Sequence, residues 1–304
     1  MRVVAIVFCM LLLSCCLLPL AEADTKQDIT TQPKMRSQSE VPELPASTSS
    51  NFFFQPRVWV GATNHNLSYN TQSFLDGKLK STEHTDVKVT IPMVGLGTTF
   101  VYNRFFLDMY VQKNVDKGND TKSPNRSAGG ISITAQDQFV EREDYSAALG
   151  YRISDRWTGF AGYRMGKTVY DEVNKRSDGK SLSTENTFEA SGPFVGLSYT
   201  YPISNYGQLG VNVGYAQLDG EYNQTFATQP YLGSSTGLTY GINWRGKIHK
   251  SLGYGISVDR YEYSFDFDPL FGEVTTVDGK KPTKSVMEAQ EKFLTFKFTL
   301  SYTF

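Results

Sequence analysis

The chain has 304 residues, with 30 Lys and Arg against 31 Asp and Glu and a formal net charge of −1, so nothing in its charge points to a nucleic-acid partner. An apolar fraction of 39% and a mean hydropathy of −0.35 look like a soluble protein, yet aromatics reach 13%, with 18 Tyr and 20 Phe. All three cysteines, Cys9, Cys15 and Cys16, precede residue 24, which excludes disulfides, cysteine–metal sites and a cysteine nucleophile from the rest.

The N-terminus carries Arg2, an apolar run from Val3 to Leu20 and Ala21-Glu22-Ala23, the order of a secretory signal peptide over residues 1–23. A membrane helix is the alternative, disfavoured by the Ala-x-Ala exit and the polar sequence after it. Leu12-Leu13-Ser14-Cys15 also resembles a lipobox, which would make Cys15 a lipidated N-terminus. Residues 24–51 are rich in Ser, Pro and Glu and nearly free of large apolar side chains, so they read as a disordered periplasmic leader. A segment that plugs a lumen or binds peptidoglycan is the other reading of that stretch.

From Arg57 the pattern changes to alternation with a period of two. Val58, Val60 and Ala62 mark one strand. Val94, Leu96, Phe100 and Tyr102 lead through Asn103-Arg104 into Phe105, Leu107, Met109 and Val111, a tight hairpin. The unit recurs three times: Tyr145–Ile153 through Ser154-Asp155-Arg156 into Trp157–Met165, Val195–Tyr201 through Ser204-Asn205 into Leu209–Tyr215, and Leu238–Trp244 through His249-Lys250-Ser251 into Leu252–Val258. Between hairpins the spacing predicts long loops at about Tyr69–Asp86, Asn114–Glu143, Asp171–Thr187, Glu221–Ser235 and Asp266–Glu291. At Arg260 the frame breaks, because Tyr261, Tyr263 and Phe265 fall on odd positions; either a bulge or the end of the hydrocarbon explains it.

The last stretch, Lys292–Phe304, alternates Leu294, Phe296, Phe298, Leu300, Tyr302 and Phe304 with polar residues. An alternating strand ending on Phe resembles the terminal strand of bacterial outer-membrane β-barrels, and the whole of 52–304 is similar to the small OmpA/OmpX-like and porin-like barrels. The resemblance implies an all-β, transmembrane, antiparallel up-and-down barrel of about ten strands, with eight or twelve as alternatives. It also implies an outer-membrane location in a Gram-negative cell, contact with membrane lipid and lipopolysaccharide, and recognition of Leu300, Tyr302 and Phe304 by the barrel-assembly machinery. A soluble sandwich or lipocalin-type barrel alternates too. Gly95, Gly97, Gly150, Gly196 and Gly214 on the polar face, with rim Tyr and Trp on the other, favour the membrane form.

On this frame Asp108, Arg152, Arg164, Arg245, Asp259 and Lys297 point inward. In a narrow lumen they pair and brace the wall, or they line a path whose four cations against two anions favour anionic solutes. The three histidines, at 65, 84 and 249, form no ligand cluster, and no cofactor or metal site is expected. Ten strands also resemble the omptin proteases; only His84 and Asp86 could stand for their His/Asp residues, with no second Asp-rich motif facing them, so no catalytic residues are assigned. Sequence alone therefore predicts a non-enzymatic surface or envelope protein acting through its loops on an unidentified ligand, with a narrow porin as the alternative and an omptin-like enzyme as a weaker one.

Overall fold

A computed structural model describes residues 52–304 apart from 123–125, 129–130, 204–205, 226–228 and 277–278. The expected signal peptide, the Cys15 lipidation site, the leader and the Ser204-Asn205 turn lie outside the described residues.

The described chain is all antiparallel strand: β1 (Phe52–Leu75), β2 (Lys78–Tyr102), β3 (Phe105–Asn114), β4 (Gly118–Lys122), β5 (Arg126–Ala128), β6 (Ile131–Arg152), β7 (Trp157–Arg176), β8 (Ser181–Ile203), β9 (Gly207–Gln224), β10 (Tyr231–Lys247), β11 (Leu252–Phe267), β12 (Leu270–Thr276) and β13 (Gly279–Tyr302). Ten of them pair up and down in the order β1-β2-β3-β6-β7-β8-β9-β10-β11-β13, and β13 pairs back onto β1, so the sheet closes on itself. The closing seam runs from Arg57↔Ser301 to Leu75↔Thr283. Short β4 and β5 lie against β6, and β12 against the far half of β13.

The ring is staggered. Following the pairing from Val58 through Leu96, Val111, Tyr145, Met165, Ser191, Asp219, Ser234, Asp266 and Glu288 returns to β1 at Asn70, twelve residues further along. Such a shear tilts the strands by about 35–45° to the ring axis.

The long loops expected between hairpins are instead extended strand. Tyr69–Asp86 continues β1 and β2 to a two-residue turn at Asp76-Gly77, both with positive φ (52° and 71°). Asp-Gly is the residue pair that such a type I′ hairpin turn demands. Asp171–Thr187 likewise belongs to β7 and β8, Asn114–Glu143 is largely β4, β5 and β6, Glu221–Ser235 is mostly the ends of β9 and β10, and Asp266–Glu291 is β12 and β13.

The reason these stretches do not read as strands is that their alternation is inverted. In β2 the apolar residues occupy even positions from Val94 to Tyr102 but odd positions at Val87, Val89, Ile91 and Met93. The same change of face separates Val60 from Leu67 in β1, Val195 from Phe188 in β8, Val213 from Leu218 in β9, Val258 from Tyr263 in β11 and Leu294 from Met287 in β13. No register shift accompanies it; among the described residues shifts occur at Ser73/Phe74 and Ile133/Ala135, near the hairpin tips. In the half carrying the strand ends at Tyr102, Tyr151 and Tyr302 the apolar residues point outward and are exposed. In the other half Leu67, Ile91, Val140, Phe188, Leu218, Tyr222, Tyr263, Phe265 and Met287 point inward and are buried together. Arg260 therefore stays on the outer face with Glu262 at 2.6 Å, and no bulge is present; the strand has left the apolar belt, the second of the two explanations.

Inside the belt, the small residues of the inner face do less to leave room than to receive rings. Trp59 lies over Gly95, Phe106 over Gly150 and Phe160 over Gly196, each so close that a Cβ on the glycine would fall within the ring. Aromatic cover of a sheet glycine in this way both fills the interior and pins cross-strand register. Gly159, on the outer face, has only ordinary contacts at 3.5 Å and beyond. Gly150→Val is expected to cost about 1–3 kcal/mol of stability by expelling the Phe106 ring, whereas Gly159→Ala stays within about 0.5 kcal/mol of the parent. Denaturant midpoints of the folded, heat-modifiable form check the pair.

Candidate functional site: the buried polar layer

Between the aromatic-filled belt and the apolar hairpin core lies a layer of buried charge centred on Arg142 of β6. Its Nη2 donates to Asp144 Oδ1 at 2.6 Å and Nε to Asp144 Oδ2 at 3.1 Å, while Nη1 donates to Thr168 Oγ1 at 2.7 Å and Glu291 Oε1 at 3.1 Å. Its guanidinium also sits 3.8 Å from the centroid of Phe293. Residues i and i+2 on a strand share a face, which is why Arg142 and Asp144 chelate each other; Glu291 and Phe293 share the inner face of β13 in the same way. Asp144 further accepts from Gln112 Nε2 at 2.8 Å and lies 3.9 Å from Arg164. Arg164 donates to the Tyr263 hydroxyl and covers the rings of Tyr261 and Tyr263 at 4.7 and 5.3 Å.

His65 completes the layer. Its Nε2 lies 3.2 Å from Glu291 Oε1 and 3.4 Å from the Tyr170 hydroxyl, and its ring stacks on Phe293 with centroids 4.7 Å apart. His65, Asp144 and Glu291 are each at most 2% exposed. Two guanidiniums face two carboxylates, so the layer is self-neutralising. The space left among Thr63, Tyr110, Arg142, Asp144 and Phe293 is room for about one water.

The six inward charges expected from sequence alternate to the inner face, and Asp108, Arg245, Asp259 and Lys297 lie near one another there with Arg57 among them. Asp108 chelates Arg57, at 2.6 and 2.8 Å, with Thr99 alongside. Lys297 meets Asp259 at 2.8 Å. Arg164 belongs to the buried layer, Arg245 lies beside the Arg57–Asp108 pair and Asp259, and Arg152 sits at the end of β6. Sequence reasoning missed Arg57, Arg142, Asp144, Glu291 and His65 as partners, because Arg142 and Glu291 fall in stretches it assigned to loops or their edges. The inverted alternation was the signal that could have placed them. Of the histidines considered for catalysis, His84 is on the outer face with Nδ1 2.7 Å from Asn70 Oδ1, and neighbouring Asp86 pairs with Lys88 at 2.9 Å.

At the rim, Leu300, Tyr302 and Phe304 all face outward. The Phe304 amide donates to the Phe54 carbonyl at 3.0 Å, and its ring stacks on Phe54 at 5.8 Å and meets Tyr302 at 4.7 Å. The terminal residue thus latches the last strand to the first.

Removing one partner of a buried charge set leaves the rest uncompensated. Arg142→Leu is expected to lower stability by about 3–5 kcal/mol, and adding Glu291→Gln, which leaves Arg164 facing Asp144, to recover part of that loss. Unfolding midpoints for the single and double variants decide; equal midpoints would show that the layer contributes no coupling.

No protein-family model and no curated protein matches the sequence. Among solved structures, the chain is similar to the outer membrane protease OmpT from Escherichia coli, with a TM-score of 0.54 and 10% identity over 86% of this chain and 99% of that one. Weaker similarities include the translocator domain of the autotransporter NalP from Neisseria meningitidis (TM-score 0.38, 10% identity, 80% of this chain and 88% of that one). They also include the outer membrane protein OprG from Pseudomonas aeruginosa (0.35, 11%, 83% and 95%). A closed up-and-down ring with an apolar outer belt, superposable over nearly the full length of OmpT, has the fold of the bacterial outer-membrane β-barrels.

Proposed function

We propose that the protein is an integral, ten-stranded outer-membrane barrel of a Gram-negative bacterium that works as a non-enzymatic surface or envelope component. The observation that carries this is the change of apolar face along the strands. A wall apolar outside and polar inside suits lipid, and one polar outside and apolar inside suits water. The belt side then lies in the bilayer, with Phe304 at the periplasmic rim, and the long hairpins project from the cell. The run ending at Ala23 would export the chain, and the terminal strand, with Leu300, Tyr302 and Phe304, would be read by the assembly machinery.

The interior weighs against the porin alternative. A pore needs a continuous wet path, whereas here Arg57 with Asp108, Lys297 with Asp259 and the Arg142 layer are paired across the interior, and the hairpin core is filled by Phe188, Tyr222, Phe265 and Met287. The protease reading finds little support in the histidines: His65 is buried against Glu291, His84 faces outward, and His249 is in a turn at the opposite end. The similarity to OmpT rests on the fold alone.

With no cysteine after residue 23, single cysteines at Asp76 and at Gly179 can be probed cleanly. A membrane-impermeant maleimide added to whole cells is expected to label both, and the folded protein is expected to give no conductance steps in planar bilayers. Protected tips would reverse the orientation; regular steps would favour the porin. Deleting Phe304 should reduce the heat-modifiable folded form in membranes, since it removes the latch to Phe54.

A further inference from the structure

Below the Arg142 layer the belt interior is unevenly filled. Thr63, Asp144, Arg164 and Thr295, at the level of the layer, are buried. Ser198, Asn212, Asn243, Ser257 and Thr299, on the inner face beneath it, are each partly open to solvent. Rings cover the glycines of β2, β6 and β8, but the side formed by β9–β11 has no such cover. Gly214 of β9 and Gly255 of β11 meet only backbone and the side chains of Thr239, Thr299 and Arg245, at 3.3 Å and beyond. This side of the interior is therefore a blind, water-accessible chamber, closed above by the layer. Toward the rim it continues past Ser301 and Thr303, which are also partly exposed.

Arg245 of β10 stands in this chamber. Its partner on β11 is Gly255, whose missing side chain leaves room beside the guanidinium, and Arg245 stays solvent-exposed although it alternates into the ring. The charges next to it are already matched, Arg57 with Asp108 at 2.6 Å and Lys297 with Asp259 at 2.8 Å. Arg245 lies beside them and, among the described residues, has no hydrogen bond or ion pair of its own. These five groups thus carry three cations against two anions, and one guanidinium fork is uncommitted. An excess of one sign between low-dielectric walls concentrates counter-ions. A planar guanidinium matches a carboxylate or phosphate through two parallel bonds. Asn243 shares the inner face with Arg245 and lies over Gly210, and Asn212 lies over Gly241 next to it, so two amides flank the same space. We propose that the chamber binds a small oxyanion, a carboxylate or phosphate, held bidentately by Arg245 with the amides of Asn212 and Asn243 beside it. It is a pocket and not a channel, because the layer closes its inner end. On the reading that Phe304 marks the periplasmic rim, the ligand enters from the periplasm.

The test uses the full-length mature protein folded in lauryldimethylamine oxide at low ionic strength. It is titrated calorimetrically with inorganic phosphate and with succinate, and with glycerol as a neutral comparator. The expected result is saturable binding of at least one of the two anions, none of glycerol, and affinity about tenfold or more weaker in Arg245→Gln. Asn243→Asp keeps the guanidinium but sets a carboxylate two residues away on the same face, and is expected to abolish anion binding; if Arg245→Gln does not fold, this variant decides. Because Arg245 has no protein partner, Arg245→Gln without ligand should unfold at or above the parent's midpoint, which separates a ligand role from a structural one. Phosphate should raise the parent's midpoint more than the variant's, a comparison that cancels general salting-out. Failure of both anions to bind, binding that survives either substitution, or equal binding of glycerol overturns the proposal. These measurements on purified protein are independent of orientation. Labelled tips without anion binding would refute the chamber alone, and anion binding with protected tips would refute the topology alone.

Discussion

Closure of the backbone hydrogen-bond ladder is the constraint from which the rest of the molecule follows. A sheet with free edges cannot sit in hydrocarbon, where an unpaired N–H or C=O has no water to turn to. Here the edges are removed by pairing β13 with β1 over nineteen residues, from Arg57↔Ser301 to Leu75↔Thr283, and the stagger that closure imposes sets the tilt. Phe304 extends the seam by one further backbone bond and an aromatic stack on Phe54. Since the pairing continues without slippage until near the tips, every residue's face is decided by its parity, and side-chain chemistry has to adapt to that parity rather than the reverse.

That adaptation divides the ring into zones. In the belt, the outward face meets lipid on the proposed reading, so the apolar residues are outside and the interior must be closed by other means. It is closed by rings folded over glycines, as Phe106 over Gly150, and by chelated pairs such as Arg57 with Asp108. In the hairpin half the outward face meets water on the same reading, and the hydrophobic effect draws Phe188, Phe265 and Met287 inward to form an ordinary core. The Arg142 layer lies where the two regimes meet. Its charges are buried, yet each has several donors or acceptors and the signs balance, which is the condition under which buried charge is tolerable.

This arrangement has a consequence for function. On the proposed reading, an interior filled by the charge layer and an aromatic core leaves little for a solute path, and the surfaces presented to partners are those of the hairpins. The hairpins are themselves stiff, being strand almost to their turns. Lys117, bridging Glu141 and Asp171 at 2.6 and 2.7 Å, ties the start of the β4 arm to β6 and β7, and those two carboxylates, Asp171 foremost, raise its ammonium pKa. Recognition groups carried on such a frame are preorganised rather than gathered on binding.

The amino-acid sequence by itself determined the strand class and the alternation of the belt residues, including the terminal strand, because period-two alternation is a local signal. It did not determine the length of the strands. Apolar residues that move from even to odd positions, as between Met93 and Val94, look like the end of a strand when only one face is assumed apolar. Nor could it pair the charges: Arg142 meets Glu291, and Arg57 meets Asp108, only because ring closure and stagger bring distant strands to one level. Those contacts were decided by the tertiary structure, since they depend on a shear that no single strand encodes.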